Sequence, residues 1–391
     1  MNSTAYLQSK PRYDILDGLR GVAAMVIVLY HLAECHFTSH VDALFNHGYL
    51  GVEFFLVLSG FVIGYAYDDR WGKMSTWGFF KRRLVRMHPM VIWAAVLGML
   101  MFYFGGCPTS FNVDSTPWYL LLLNVLMTML LIPLPRSATS LDIRGWGELN
   151  AVNGPVWTLM YEYICNILYA FFIRKFPKWL LWVCAVMAAV CIGDLAFNLN
   201  LFGIIGDRGY EYSTIGGFYF APDHIYVGFV RTLGPFLLGY LLSRTGRKIS
   251  VKGVFWVTAI GLFVLLVIPY IGSDSFRIMD GAYDFLCIVV IFPLLVAVGS
   301  GSTIKGRKTE KFCKFLGDIS YPIYLTNYPF AYMERAWVEN HPEAPLSTKI
   351  FVFVSCFIMI TGLAYAVYHM YDLPVREWLK DHWLHRKNSQ K

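Results

Sequence analysis

Residues 15–37 read ILDGLRGVAAMVIVLYHLAECHF, an apolar stretch that also carries Arg20 and His31. The two residues are eleven positions apart, close to three turns of α-helix, so both side chains project from the same face. The helical rise separates them by about 16 Å along the axis. Ionisable side chains inside an apolar segment are costly unless they face the protein interior or a wet cavity. The stretch therefore predicts a membrane-spanning helix that contributes to a functional site inside the membrane.

The composition of the whole chain is that of a membrane protein. Hydrophobic residues make up 57% of the 391 residues, charged residues only 15%, and the mean hydropathy is +0.49. Soluble domains rarely have such a composition. The net charge of +7 lies mostly in short loops, and no Arg/Lys-rich face or RNA-binding motif is present. We therefore expect an all-α integral membrane protein whose surroundings are a lipid bilayer, with no nucleic-acid partner.

Apolar stretches and basic loops predict the topology. The eleven apolar stretches are residues 15–37, 49–67, 84–104, 118–134, 155–173, 178–197, 225–243, 253–271, 281–299, 315–334 and 348–371. The positive-inside rule places the basic loops and both termini in the cytoplasm. With this orientation the stretch 118–134 starts and ends on the outer side. We therefore predict about ten transmembrane helices plus one re-entrant or interfacial segment at 118–134. The alternative is an eleventh span, with one loop assigned to the wrong side.

The chain shows no internal repeat, low-complexity stretch or linker. About twenty residues follow the last apolar stretch, too few for a second domain. We expect a single membrane domain over residues 1–391, which ends in a basic cytoplasmic tail at 381–391.

His31 and Glu162 are the candidate catalytic residues. Glu162 lies within the apolar stretch 155–173 and shares a helix face with Thr158 and Asn166. A carboxylate inside the membrane is a functional candidate, and it could fix the tautomer of His31 and stabilise its imidazolium form. The alternatives are structural: a histidine bonded to a neighbouring helix, and a glutamate bonded between two spans. The sequence predicts the pairing and leaves these alternatives open.

A cluster of arginines opens the third predicted helix. Arg82, Arg83 and Arg86 lie at its cytoplasmic end, and Arg83 and Arg86 share one face. Guanidinium groups bind phosphate in bidentate geometry, and coenzyme A presents several phosphates. The alternative is an anchor for anionic lipid. Arg20 either belongs to the same binding path or snorkels to the cytoplasmic interface.

Polar residues on the second and eleventh stretches are candidate substrate contacts. They are Glu53, Ser59, Tyr321, Tyr324 and Asn327. Glu53 lies near the predicted outer end of its helix, where it could instead be hydrated. Gly60 and Gly64 on the same helix have the spacing of close helix packing. The tyrosines could equally belong to an aromatic belt at the membrane interface.

Potential metal ligands follow the first helix. Glu34, Cys35, His36, His40 and His47 are close in sequence, but no HExxH or paired-cysteine spacing is present. We interpret the histidines as surface residues of an outer loop and predict no metal site.

Taken together, these segments resemble the acyltransferase 3 family of integral-membrane acyltransferases. Arg20 and His31 match its arginine–ten residues–histidine motif, residues 58–63 resemble its second-helix signature, and Arg83 with Arg86 is similar to its RxxR element. Further matching positions are Trp157, Thr158, Leu159, Glu162, Ser320, Tyr321, Tyr324, Leu325, Pro329, Asp372, Pro374 and Arg376. The resemblance extends from about residue 13 to residue 380.

Three positions depart from the family pattern. Asn327 stands where many members have histidine, Asp372 where glutamate is usual, and Thr158 where serine is commoner. The asparagine could alter the choice of acceptor, so we assign it no catalytic role.

The resemblance implies transfer of an acyl group, often acetyl, from cytoplasmic acyl-CoA to a hydroxyl of an extracytoplasmic sugar or glycolipid. It places the protein in the inner (plasma) membrane of a bacterium. His31 would act as general base or carry the acyl group itself, and Glu162 would orient it. Residues implied to hold acyl-CoA are Arg20, Arg82, Arg83 and Arg86. The alternative from another class is a secondary transporter of a lipid-linked sugar or small anion, because intramembrane ionisable residues also suit a proton-coupled carrier.

Overall fold

The computed structural model describes residues 10–105, 116–134, 141–206, 209–272 and 276–384. The predicted tail at 381–391 falls largely outside these residues. The α-helices are α1 (Asp14–Ala33), α2 (Gly51–Tyr67), α3 (Thr76–Phe104), α4 (Trp118–Met129), α5 (Val156–Phe171), α6 (Lys178–Ala196), α7 (Pro222–Thr245), α8 (Phe255–Val267), α9 (Ile278–Leu286), α10 (Phe292–Gly301), α11 (Arg307–Asn340), α12 (Leu346–Val367) and α13 (Leu373–Leu379). Within the described part of the chain no β-strand forms. The all-α prediction is confirmed.

Within the described ranges, eight helical segments are long and apolar enough to cross a bilayer. Six of them contain α1, α2, α3, α5, α6 and α7, one at a time. The seventh joins α9 to α10 through a π-helical turn at Cys287–Ile291, and the eighth begins with α12 and continues through α13. The chain is therefore a multi-pass membrane protein.

Two further helices, α8 and α11, account for the difference between eight spans and the predicted ten, and α4 matches the predicted segment that does not span. α8 has 13 residues and α11 has 34, and both fall on predicted spans. α11 is long enough to cross, but charged residues at both ends and polar residues within it lower its hydropathy. α4 has only 12 residues, which rise about 18 Å against a hydrocarbon core of roughly 30 Å. Its length fits a segment at 118–134 that does not span.

Small residues let the central helices pack closely. A Cβ on Gly60 of α2 would overlap the carbonyl of Phe236 on α7, and a Cβ on Gly239 of α7 would overlap the carbonyl of Val57. Gly21 of α1 approaches Leu316 of α11 in the same way. The predicted packing role of Gly60 is confirmed. These contacts hold α1 against α11 and α2 against α7, and they leave polar side chains of α1, α2, α3, α5 and α11 around one interior region.

Candidate functional site

His31 lies in the last turn of α1. Within the described residues, one of its ring nitrogens is hydrogen-bonded, and the other is not. Its Nδ1 lies 2.9 Å from Oε2 of Glu34, one turn further along the chain. Glu34 reaches back because the helix continues as a 3₁₀ turn, Glu34–His36. If the imidazole is neutral and donates from Nδ1, the lone pair lies on Nε2. Nε2 has no hydrogen-bond partner among the described residues, and the side chain is 16% exposed. His31 can therefore accept a proton through Nε2.

Tyrosine rings border the imidazole. Tyr328 of α11 meets His31 edge-on, with ring centroids 4.7 Å apart, and Tyr30 lies 5.2 Å away. Tyr328 in turn contacts Tyr332, whose hydroxyl donates to the buried carboxylate of Glu148. These contacts restrict the imidazole ring from the α11 side.

Glu162 lies within another set of contacts. Its Oε1 accepts from Oγ of Ser59 at 2.8 Å and from Nη2 of Arg83 at 2.8 Å. The carboxylate that hydrogen-bonds His31 is that of Glu34. The predicted pairing of Glu162 with His31 is therefore wrong, because the neighbouring guanidinium of Arg83 is the stronger partner for a carboxylate.

The three arginines of α3 have different environments. Arg83 is 5% exposed and is held by Glu162. Arg82 donates to the carbonyl of Gly78 at 3.0 Å. Arg86 is exposed and forms no hydrogen bond or salt bridge with any described residue. Arg86 is thus the member of the cluster that uses none of its donors on a described residue, and Arg82 uses only Nη1.

Arg20 is anchored to α11. Its Nε donates to Oγ of Ser320 and its Nη2 to the carbonyl of Gly317, both at 2.8 Å. Asp17 on the same helix lies 3.2 Å away. Arg20 and Arg83 are both within electrostatic range of Arg86, and so is the carboxylate of Asp17.

Glu53 has a structural environment. It is fully buried and forms a salt bridge with Arg231 of α7. Arg231 also donates to the carbonyls of Gly216 at 2.8 Å and Tyr49 at 3.2 Å. The alternative of a hydrated Glu53 is wrong, because this pair fixes the start of α2 against α7 and the loop that contains Gly216.

The polar residues of α11 connect it to its neighbours. Tyr321 is half-buried and donates to the carbonyl of Met87 at 3.0 Å. Tyr324 is buried, and its hydroxyl lies 2.8 Å from Oγ1 of Thr158. The Asn327 amide donates to the carbonyl of Tyr324 at 2.7 Å, whereas its Oδ1 has no partner among the described residues. These bonds assign Tyr324 and Asn327 a packing role, and their contact with substrate stays a prediction.

The histidines after α1 are not all surface residues. His36 contacts Oε1 of Glu334 at 2.8 Å and is 15% exposed. His47 is fully buried and lies 3.1 Å from Oδ1 of Asp280. The prediction of a surface His47 is therefore wrong. No sequence spacing could indicate this contact, because 233 positions separate the two residues.

The sequence analysis named Glu34 but did not pair it with His31, and it did not identify Arg231 or Glu148. Glu34 was within reach of a prediction, because residues three apart on a helix are neighbours. Arg231 and Glu148 were not, since each meets its partner only in the folded chain. Burial raises the pKa of Glu148 to about 7, and its hydrogen bond from Tyr332 and the nearby Arg144 act against that rise.

Comparison with known proteins shows which family the chain belongs to. A family model described as an acyltransferase domain, that of the acyltransferase 3 family, matches residues 13–383. The O-acetyltransferase OatA of Staphylococcus aureus (strain NCTC 8325 / PS 47) is 22% identical over 400 residues, which cover 94% of this chain and 58% of OatA. Protein 2 in the picA locus of Rhizobium radiobacter is 34% identical over 174 residues, 42% of this chain and 84% of that protein.

The chain spans little more than half the length of OatA. No solved structure matches. Of the two classes that the sequence left open, an enzyme and a transporter, the comparisons support the enzyme. The chain is a multi-pass membrane protein that belongs to the acyltransferase 3 family.

Proposed function

We propose that the protein transfers an acyl group, most simply acetyl, from cytoplasmic acyl-CoA to a hydroxyl of an extracytoplasmic carbohydrate or glycolipid. The observation that carries the proposal is the distribution of unpaired polar groups: Arg86 toward one end of the helices and Nε2 of His31 toward the other. Arg86 lies within electrostatic range of Arg20, and the helical rise separates Arg20 from the base His31 by about 16 Å along α1.

Arg86 binds the donor phosphates, and Arg82 and Arg20 add positive potential. Arg86 has no protein partner to lose, and bidentate guanidinium–phosphate contacts are strong. Asp372 lies within electrostatic range of Arg86 but is itself paired with Arg376 at 3.0 Å. Arg83 acts indirectly, because its guanidinium positions Glu162 and Ser59.

The pantetheine arm extends from this arginine region toward His31. The half-buried residues Ser59, Glu162 and Tyr321 border the route. They tie α2, α3, α5 and α11 together through hydrogen bonds, so the helices keep a fixed spacing around the thioester.

His31 acts as general base. Its Nε2 removes the proton of the acceptor hydroxyl while the hydroxyl oxygen attacks the thioester carbon. The carbon–sulfur bond breaks, the new ester leaves with the acceptor, and the thiolate of CoA takes the proton from the imidazolium. Such proton transfer contributes roughly 10²–10⁴-fold to rate. An acyl-histidine intermediate is a second route through the same nitrogen.

Glu34 is the positioning residue for His31. Its carboxylate holds the proton on Nδ1 and stabilises the imidazolium that forms during transfer, as the acid of a catalytic triad does. This assigns to Glu34 the role that the sequence predicted for Glu162. The proposed chemistry consists of proton transfer and acyl transfer from sulfur to oxygen, and it calls for no metal.

The basic loops place Arg86 on the cytoplasmic side by the positive-inside rule. The acceptor therefore approaches from the outer side, near Tyr328. The name of OatA as an O-acetyltransferase supports acetyl transfer to oxygen. We expect the protein to act in the inner (plasma) membrane of a bacterium on an envelope carbohydrate.

The test combines cells and purified protein. Cells that express the wild-type chain should gain base-labile acetyl groups on envelope glycans by mass analysis, and cells that express His31→Ala should not. Purified His31→Ala should keep its affinity for acetyl-CoA and lose at least about 10²-fold in release of free CoA. His36→Ala, a neighbouring histidine that contacts Glu334 instead, is the matched control and should stay active. Normal turnover by His31→Ala would refute the proposal.

A further inference from the structure

A buried cluster of ionisable residues lies apart from the proposed site. His47 belongs to the 3₁₀ turn that precedes α2, and Asp280 and Asp284 lie on α9. All three residues are fully buried. One ligand atom from each lies within 4.8 Å of the other two. Nothing in the proposed acyl transfer uses these groups.

The charges of this cluster do not balance. Two carboxylates face one imidazole, and the salt bridges of the described residues include no lysine or arginine paired with Asp280 or Asp284. When both carboxylates are ionised, one negative charge remains without a cationic partner even if the imidazole is protonated. Buried charge is unfavourable unless it is paired or bound to a metal.

The two carboxylates accept different numbers of hydrogen bonds. Asp284 accepts from the hydroxyl of Tyr49 at 2.8 Å and from both the backbone and the hydroxyl of Thr214, at 2.9 and 3.0 Å. For Asp280, Oδ1 accepts from the backbone of Ile271 at 2.9 Å. Its Oδ2 is buried and has no partner among the described residues.

The imidazole has the orientation of a metal ligand. Nδ1 of His47 lies 3.0 Å from the carbonyl of Ile268, to which it donates its proton. Nε2 then faces Asp280 Oδ1 at 3.1 Å. Histidines that bind metals usually donate their other ring N–H to a carbonyl or a carboxylate, and ligating carboxylates are themselves hydrogen-bonded. Both features are present here.

We propose that His47, Asp280 and Asp284 hold a divalent cation, for which zinc is the best match. Zinc binds imidazole nitrogen and carboxylate oxygen at about 2.0–2.2 Å, which puts tetrahedral ligand atoms roughly 3.3 Å apart. The 3.1 Å between Nε2 and Asp280 Oδ1 is close to that separation. A cation here neutralises both carboxylates, and it gives Asp280 Oδ2 a partner when Asp280 binds it through both oxygens.

The cation joins segments that are distant in sequence. Through its ligands and their hydrogen bonds it connects the start of α2, the end of α8, the start of α9 and the loop at 213–214. Its role is to fasten these segments on the side that carries His31. The proposal departs from our sequence-based prediction of no metal site, which no observation has yet tested.

A proton on Nε2 is the competing occupant. It would pair His47 with Asp280 Oδ1, but it would leave Oδ2 without a partner and one carboxylate without a cation. The two occupants differ in an observable way, because only the cation makes stability depend on added metal.

The experiment uses the full chain, purified in detergent and treated with a chelator. Zinc chloride is then titrated while the melting temperature and the bound zinc are measured. We expect about one zinc per chain and a higher melting temperature at saturation. Asp280→Asn and His47→Gln should each weaken zinc binding by more than the roughly 10–100-fold that loss of a ligand's hydrogen-bond partner causes, and should lose the thermal response. Magnesium, a hard cation that prefers all-oxygen sites, should have no effect at the same concentration.

A second cluster provides the control. Cys35, His36 and Glu334 also bring three ligand atoms within 4.8 Å of one another. His36→Gln should keep the zinc response if the cation lies at His47. X-ray absorption of the zinc-loaded wild type should show nitrogen and oxygen ligands without sulfur, a result that does not depend on any variant folding. A sulfur ligand, a response lost in His36→Gln, or wild-type protein that neither binds zinc nor melts higher with it would overturn the proposal.

Discussion

The arginine region and the His31 region can be compared by asking which of their motif residues have hydrogen-bond or salt-bridge partners within the protein. Among the arginines, Arg20 and Arg83 have good acceptors in the protein, whereas Arg86 has none in the described chain. At the other end, Glu34 occupies one nitrogen of His31 and leaves the second open. Residues of one motif therefore have separate tasks: the paired ones hold helices together, and the unpaired ones are expected to meet substrate.

The sharpest contrast lies within the RxxR element. Arg83 is buried against Glu162, so its loss would leave a carboxylate that is only 19% exposed without its cation. Loss of Arg86 would remove only donors that no described residue uses. Substitution of Arg83 should therefore lower stability, whereas substitution of Arg86 should weaken donor binding. This difference tests the division between paired and unpaired residues.

Arg83→Ala should have the largest effect and should act on stability. Removing one partner of a buried ion pair costs about 3–5 kcal/mol, and the partial exposure of Glu162 puts our expectation near the lower limit. Denaturation in detergent measures it. The double variant Arg83→Ala/Glu162→Gln should recover part of the loss, because no charge is then left unpaired. Wild-type stability in Arg83→Ala would contradict the structural role.

On the His31 side, Glu148 should make stability depend on pH. Burial raises its pKa from 4.5 to about 7. The folded state therefore binds a proton more tightly than the unfolded state, and this contribution to stability is complete below pH 4.5 and is lost as pH rises through 7. The difference amounts to about 3 kcal/mol at most. Glu148→Gln should flatten the pH profile of stability in this window, and an unchanged profile would refute the assignment.

Arg86→Ala should weaken binding without affecting stability. Loss of charged hydrogen bonds to phosphate corresponds to about 10–100-fold in the dissociation constant of acetyl-CoA. Equilibrium dialysis with radiolabelled acetyl-CoA measures it, and melting temperatures serve as the control. If Arg86→Ala binds normally, the phosphates rest elsewhere and the contrast with Arg83 loses its functional meaning.

Glu34→Gln should have the smallest effect of the series and should be confined to the chemical step. Glutamine keeps an oxygen that accepts from Nδ1 but loses the charge that stabilises the imidazolium. We expect kcat to fall roughly tenfold while KM for the donor stays unchanged. Glu334→Gln, at the carboxylate that contacts His36 rather than His31, is the matched control. Equal kcat values for Glu34→Gln and the wild type would contradict the role of Glu34 in positioning His31.

The limits of sequence-based prediction follow from the range of the interactions. Apolar length and loop charge indicated the helices, including the short helix at 118–134, because those signals are local. The partner of His31 was also local, three residues away, and could have been predicted. Arg83–Glu162 and Glu53–Arg231 could not, since 79 and 178 positions separate the partners. A single sequence shows that a buried carboxylate needs a partner but not which cation folding brings to it.

Binding of acetyl-CoA, measured separately from each face of the membrane, tests the central claim most directly. Uniformly oriented protein in liposomes would receive radiolabelled acetyl-CoA on one face at a time, with Arg86→Ala as the matched variant. We predict saturable binding only from the face that carries the basic loops, weakened by Arg86→Ala and retained by His31→Ala. Binding only from the opposite face, or binding that Arg86→Ala leaves unchanged, would contradict the account.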